Sequence, residues 1–383
     1  MDEIPSFLKD NQKIYEEYFD KDFTKSLIEN VVAPLNDYYF RTRMIGFDTL
    51  PERNNPDRPL IFISNHSGMA FPWDAMVFVG SYYLKCGFSF KNNMRALAAP
   101  MLSASNLMCP YMIPNFWKRV GGIDATLENF ETMMHQKDSN ILIYPEGVPG
   151  IGKGFNRRYQ LQKFSTSFLR MSIKYKTDII VVSTVNAEYI NPYSYNNHTI
   201  NKLVQKMGLP FLPLGLLTLF IPLQPWFFYI GLPANLTYVM GPRIKPYEML
   251  DKPLEKIRKP ELRELRDKVL SIFQEHLDES VETYGQKPFE FKRYFLLSLK
   301  NLNKIPLVSP SGWPILFMEF LRQYKKKKEQ LKFKVGFGSF LKGILFNPFS
   351  LFYYIPLLGL IPLIWKGYRD NNIKELRERK RHL

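Results

Sequence analysis

The chain reads as an α/β protein, with a central, mostly parallel or mixed sheet flanked by helices. Three observations predict this. Short, wholly apolar runs end in loops, as strands covered on both faces do. Segments of helical spacing lie between those runs, an alternation typical of α/β folds. With 45% hydrophobic and 15% aromatic residues, the 383-residue chain can build a large core and lacks the composition of a disordered one.

In chain order, residues 1–29 read as an N-terminal helical segment. "YYFRTRMIGFDTLP" (38–51) reads as a strand and turn, and "RPLIFISNHSG" (58–68) as a buried strand running into a loop. "DATLENFETMMHQ" (124–136) has helical spacing. "NILIYPEG" (140–147) is a second buried strand with a loop at its end. "QKFSTSFLRMSIKYK" (162–176) carries Phe164, Phe168 and Met171 at i, i+4 and i+7, a helical stripe, and "TDIIVVSTVNAEY" (177–189) is a third strand. After Pro260, an amphipathic helix with Leu262, Leu265, Val269, Ile272 and Phe273 on one side is expected to close the main domain near residue 285. The main domain is therefore placed at 30–285 and an extension at 286–383.

Charge separates that extension from the rest. Residues 291–342 carry twelve Lys or Arg against two Glu, 343–365 carry no charge, and 366–383 carry seven basic residues against three acidic. That amounts to +14 of the chain's net +16. Basic flanks around an uncharged apolar stretch suit an anionic membrane surface better than a nucleic acid. The run "KKKK" at 325–328 belongs to these flanks. A second uncharged stretch, 207–242, contains six prolines, and 343–365 contains three. A spanning helix needs about 20 apolar residues, and prolines at this frequency break it. Short strands and turns are expected in 207–242 and a broken, membrane-dipping element in 343–365. The opening "MDEIPSFLKD" lacks the apolar run of a secretory signal, so a membrane-associated location on the cytoplasmic face is expected. Cys86 and Cys109, without a CxxC or a histidine partner nearby, read as core residues.

Two stretches could carry chemistry. In "YPEGVPGIGKG", Gly147, Gly152 and Lys153 match the spacing of a nucleotide-binding phosphate loop, but Gly154 stands where the Mg²⁺-binding hydroxyl must be. In "SNHSGMAFPWD" (64–74), His66 follows a strand directly, and Asp74 opens an apolar run eight positions later. A neutral imidazole can take a proton from an attacking hydroxyl while a carboxylate on its other nitrogen fixes tautomer and orientation. The other histidines, His135, His198, His276 and His382, lack such a setting.

"NHSG…PWD", then "YPEG", then "TDIIVVSTV", in this order, resemble the lysophospholipid (glycerolipid) acyltransferase superfamily over about residues 30–285. Three departures stand out. His66 and Asp74 are separated by seven residues instead of the usual four. Ala125 occupies the position of the second block's arginine. Val148-Pro149 replace the usual Thr-Arg after the glutamate and glycine. The resemblance implies a glycerolipid acyltransferase-like fold and an O-acyltransferase with His66 as general base and Asp74 orienting it. It implies an acyl-CoA or acyl carrier protein donor, a lysophospholipid or similar lipid acceptor, and no metal or bound cofactor. Glu146 and Gly147 match the family's acceptor-binding block; Lys153, Arg157, Arg158 and Lys163 lie in the adjacent basic run and are the candidates to replace the absent arginines. A lipid-binding protein of the same fold without the chemistry is the alternative.

Overall fold

A computed structural model describes residues 4–68, 71–205, 211–250, 252–327 and 331–368. Seven strands, β1 (Arg43–Ile45), β2 (Ile61–Ser64), β3 (Asn93–Ala98), β4 (Ile123–Asp124), β5 (Ser139–Ile143), β6 (Ile179–Val185) and β7 (Thr237–Ile244), form one sheet in the order β1-β7-β6-β2-β5-β3-β4. Every neighbouring pair is parallel except β6 and β7, so β1 and β7 run against the other five and the sheet is mixed. Alternate positions along the central strands feed two separate hydrophobic clusters. Phe62, Leu142, Ile180 and Val182 face one, and Ile61, Ile63, Ile141, Ile143, Ile179 and Val181 face the other. Burial on both faces is why these strands are continuously apolar in sequence.

The helices cover these faces in chain order. On the first face lie α1 (Lys21–Leu27), through Phe23 and Leu27, and α2 (Trp73–Lys85), through Trp73, Val77, Phe78 and Tyr82. The second face takes α3 (Leu127–Met133), α4 (Ser167–Tyr175) and α5 (Lys259–Tyr284). Leu262, Leu265, Val269, Phe273 and Leu277 of α5 are buried there, each contributing about 1.5–3 kcal/mol. Phe164, Phe168 and Met171 are buried together as expected, although α4 starts only at Ser167 and Phe164 approaches from the preceding loop.

The C-terminal segment, expected as an extension beyond the main domain, packs into it. It contains α6 (Phe291–Lys300), α7 (Trp313–Lys326), α8 (Phe337–Phe346) and α9 (Leu360–Tyr368). Trp313, Leu316, Phe317 and Phe320 of α7 belong to the same cluster as Phe23 and Trp73. The Trp313 ring is fully buried, 4.6 Å from Trp73 and 5.1 Å from Tyr39 between centroids. The described residues of 286–368 thus complete the core instead of standing outside it.

The uncharged stretches are broken, as their prolines require. The first gives a single turn at Leu216–Leu219, a 3₁₀ turn at Pro225–Tyr229 and strand β7. The second runs from the end of α8 through a 3₁₀ turn at Pro348–Tyr354 into α9. Among the described residues no helix is long and apolar enough to cross a membrane. Lys328, His382 and the charged end 369–383 lie outside the described residues.

Candidate active site

Strand β2 ends at Ser64, whose hydroxyl donates to the Val182 carbonyl at 2.9 Å. The next residue, Asn65, exchanges two hydrogen bonds with Thr184 of β6, its amide donating to the carbonyl at 2.9 Å and its oxygen accepting from the backbone N–H at 2.7 Å. From the other side, the backbone N–H of His66 donates to Glu146 Oε1 at 3.0 Å, and Glu146 Oε2 accepts from the Gln162 N–H at 2.6 Å. The His66 backbone is thus held between the ends of β5 and β6. Gly68 then adopts φ +106°, a conformation side chains resist, and Pro72 leads into α2 at Trp73. Ala125 makes none of these contacts and lies on the wall of the cavity that His66 also lines.

Asp74 stands beside the histidine. Asp74 Oδ2 accepts from His66 Nδ1–H at 2.7 Å and from the Ser67 backbone N–H at 3.1 Å, and the Asp74 carbonyl accepts from Tyr238 Oη–H at 2.7 Å. The carboxylate is wholly buried in the first turn of a 13-residue helix, where the helix dipole favours negative charge. A bond to a buried carboxylate contributes about 1.5–3 kcal/mol, unlike an exposed ion pair at about 0–1. With Nδ1–H committed to Asp74, the imidazole presents Nε2 as its acceptor. The ring stacks on Tyr144 at 4.3 Å between centroids, and its side chain stays 15% exposed. Trp73, next to Asp74, donates its indole N–H to the Tyr229 carbonyl at 2.9 Å and abuts Trp313, so α7 braces the start of α2.

His66, Tyr144 and Glu146 all line a cavity of about 750 Å³ whose walls are chiefly apolar, among them Ile28, Met76, Leu97, Met108 and Ile221. The volume suits a drug-sized or acyl-chain ligand. Burial pushes the Glu146 carboxyl above the ordinary glutamate range, with the Lys153 cation and the two backbone N–H groups opposing it. Both Glu146 oxygens are occupied by backbone donors, so its visible task is to clamp the His66 loop. Gly150 permits this: a Cβ there would lie 2.6 Å from that of Glu146.

Of the basic run, Lys163 reaches the cavity wall, as does Gly147, which takes φ +61°. Lys153, Arg157 and Arg158 do not, which corrects their expected place around the ligand. The Lys153 ammonium is buried 3.5 Å from Glu188 Oε1. Arg157 and Arg158 are exposed, and Arg158 lies over the Phe155 ring. A lysine held this way does not reach the phosphates of a nucleotide, which argues against the phosphate-loop reading. Ser67, Tyr144 and Glu188 also belong to the site, although no sequence motif singles them out. Glu188 Oε1 accepts from Ser67 Oγ–H at 2.7 Å and from the Tyr159 N–H at 3.1 Å, a buried network beneath the His66 loop. Its one sequence signal is an acid three positions after a strand buried on both faces. Among the described residues, no group of three or more His, Cys, Asp or Glu converges as a metal site.

No protein-family model matches the chain. No solved structure matches it significantly. Its relatives are proteins described only as uncharacterized. Those of Mycobacterium bovis and Mycobacterium tuberculosis are 23% identical over 197 residues, 51% of this chain and 51% of theirs. One from Mycobacterium leprae is 23% identical over 196 residues, 51% of this chain and 49% of its own. The chain therefore spans about half the length of the curated relatives it matches.

Proposed function

We propose that the protein is a membrane-associated acyltransferase that moves a fatty acyl group from an acyl thioester to the hydroxyl of a lysophospholipid or similar lipid. One observation carries the proposal: the buried, charge-assisted His66–Asp74 pair at 2.7 Å, whose imidazole lines a large apolar cavity. A non-catalytic lipid carrier has no need of a histidine oriented in this way.

In the reaction, His66 Nε2 takes the proton of the acceptor hydroxyl as its oxygen attacks the thioester carbonyl. Asp74 stabilises the imidazolium that forms. The tetrahedral oxyanion that forms collapses with cleavage of the carbon–sulfur bond. The departing thiolate takes the proton from the imidazolium, which restores His66. Acyl-CoA or acyl carrier protein enters as the acyl-bearing substrate, and the step draws on no bound cofactor. Glu146 keeps the His66 backbone in place through its two backbone hydrogen bonds, and Lys163 at the wall supplies positive charge toward an anionic headgroup.

The test is incubation of the purified protein with labelled acyl-CoA, or acyl carrier protein, and a panel of lysophospholipids and long-chain alcohols. Ester formation on at least one lipid hydroxyl is expected. Tight lipid binding with no ester formed from any donor would replace the proposal with the lipid-binding alternative.

A further inference from the structure

The two uncharged stretches, far apart in sequence, meet in space. The Leu357 N–H donates to the Pro222 carbonyl at 2.6 Å, and the rings of Tyr353 and Tyr229 lie 6.3 Å apart. Together they expose large apolar side chains: Leu219 at 73%, Leu358 at 69%, Ile361 at 65% and Trp365 at 58%. Soluble monomers rarely carry so much contiguous apolar surface without a partner. The turn Leu216–Leu219 has a second side, because Leu217 and Thr218 line the 750 Å³ cavity while Leu216 and Leu219 face outward. One helical turn therefore separates the cavity from this surface.

A cationic notch of about 480 Å³ belongs to the same segment, lined by Lys325, Lys366, Asn106, Asn347 and Phe349. Arg322 also lines it but is engaged by Glu319 at 2.7 Å. Neither Lys325 nor Lys366 has a carboxylate partner among the described residues; burial, and then repulsion by Lys325, lower the Lys366 ammonium below its ordinary range. Lys366 sits 3.9 Å over the Phe349 ring, one residue beyond the exposed Trp365. A tryptophan beside a lysine at the edge of an uncharged surface is the arrangement of a membrane-interface anchor.

We infer that the surface formed by residues 216–223 and 355–365 docks into an anionic lipid leaflet, with Lys325 and Lys366 at the headgroups, and that an acyl chain passes from the leaflet into the cavity beside the Leu216–Leu219 turn. This rests on the acyltransferase reading for the use made of the cavity. The docking itself does not.

The experiment is flotation of the full chain with vesicles of phosphatidylcholine alone or mixed equally with phosphatidylglycerol. Wild type floats with the mixed vesicles, and bromine-labelled lipid quenches its tryptophan fluorescence through Trp365. The triple variant Leu219→Glu, Leu358→Glu, Ile361→Glu, altered only at exposed positions, keeps the wild-type melting curve and binds at least about tenfold less. It loses transfer to a vesicle-borne acceptor but keeps transfer to a monodisperse short-chain one. Lys325→Glu with Lys366→Glu weakens binding to mixed vesicles only, by about fivefold or more per cation. Quenching that persists in Trp365→Phe, or unchanged flotation of the triple variant, overturns the inference. So does a wild-type dimer that the triple variant dissolves and vesicles leave intact. Wild type that floats and quenches as expected but esterifies no acceptor supports the docking and removes only the acyltransferase reading.

Discussion

Replacing Asp74 by Asn tests the orienting carboxylate without removing its shape. Asp74 Oδ2 serves two donors, His66 Nδ1–H and the Ser67 N–H, while Oδ1 is buried without a hydrogen-bond partner. An asparagine must keep its oxygen toward those donors, which places its NH₂ in the enclosed position of Oδ1. An unsatisfied buried donor costs about 1–3 kcal/mol, so Asp74→Asn is expected to lose about that much stability in denaturant titration. The chemistry loses something else. A bond from imidazolium to carboxylate contributes about 1.5–3 kcal/mol and one to a neutral acceptor about 0.5–1.5. The difference of about 1–2 kcal/mol lowers the rate about 5- to 30-fold, at 1.36 kcal/mol per decade. Initial rates of labelled acyl transfer should show this fall in kcat, with KM for the donor within about twofold of wild type. Asp74→Ala leaves both donors without an acceptor and falls further. Wild-type rates in both variants, with the fold intact, would refute any role of the carboxylate in catalysis.

Trp313→Ala removes a fully buried ring from the contact with Trp73 and should cost about 3–5 kcal/mol, read from chemical unfolding, with a drop in transfer because Trp73 adjoins Asp74. By the same packing, a chain cut after residue 285 should aggregate, and a soluble fragment with a cooperative melt would contradict the shared core. Gly150→Ala pushes a methyl against Glu146, so transfer should fall and stability drop by about 1–3 kcal/mol, compared by rate assay and thermal melting. His276, half-buried and hydrogen-bonded to Ser183 at 2.8 Å, has its protonation suppressed by burial. The unfolded chain therefore binds the extra proton more readily, and stability is lost as pH falls below about 6.5 toward the lowered value. His276→Gln should flatten that part of the melting-temperature profile.

The strands β2, β5 and β6 were legible because burial on both faces leaves an uninterrupted apolar run in each. β3 was not: Arg95 interrupts "NMRALA", yet it is buried, its guanidinium satisfied by the carbonyls of Gly121, Tyr15 and Ile14 at 2.9, 2.9 and 3.2 Å. β7 was hidden by Gly241-Pro242. In the structure these residues fall where the register with β6 shifts between Ile180 and Val182, a bulge that tolerates proline in a sheet. The pairing of His66 with Asp74 was legible as residue types only. Its closure across seven residues depends on Gly68 at positive φ and on the Asn65 and Glu146 anchors, long-range contacts that no local pattern contains. The same limit applies to the C-terminal segment. Its charge map suggested an appendage, whereas Trp313 and Phe317 reveal their role only through the aromatic rings they meet. Lys153 looked available in a basic run because its partner, Glu188, lies 35 positions away on the far side of β6.

In the proposed reaction the imidazole at position 66 accepts the acceptor's proton. The direct measurement is the transfer rate of His66→Ala beside wild type, on whichever lipid acceptor wild type esterifies, with both proteins checked for equal melting temperature. The rate should fall at least about a hundredfold, since general base catalysis contributes about 10²- to 10⁴-fold. A folded His66→Ala protein that transfers at the wild-type rate would contradict this role.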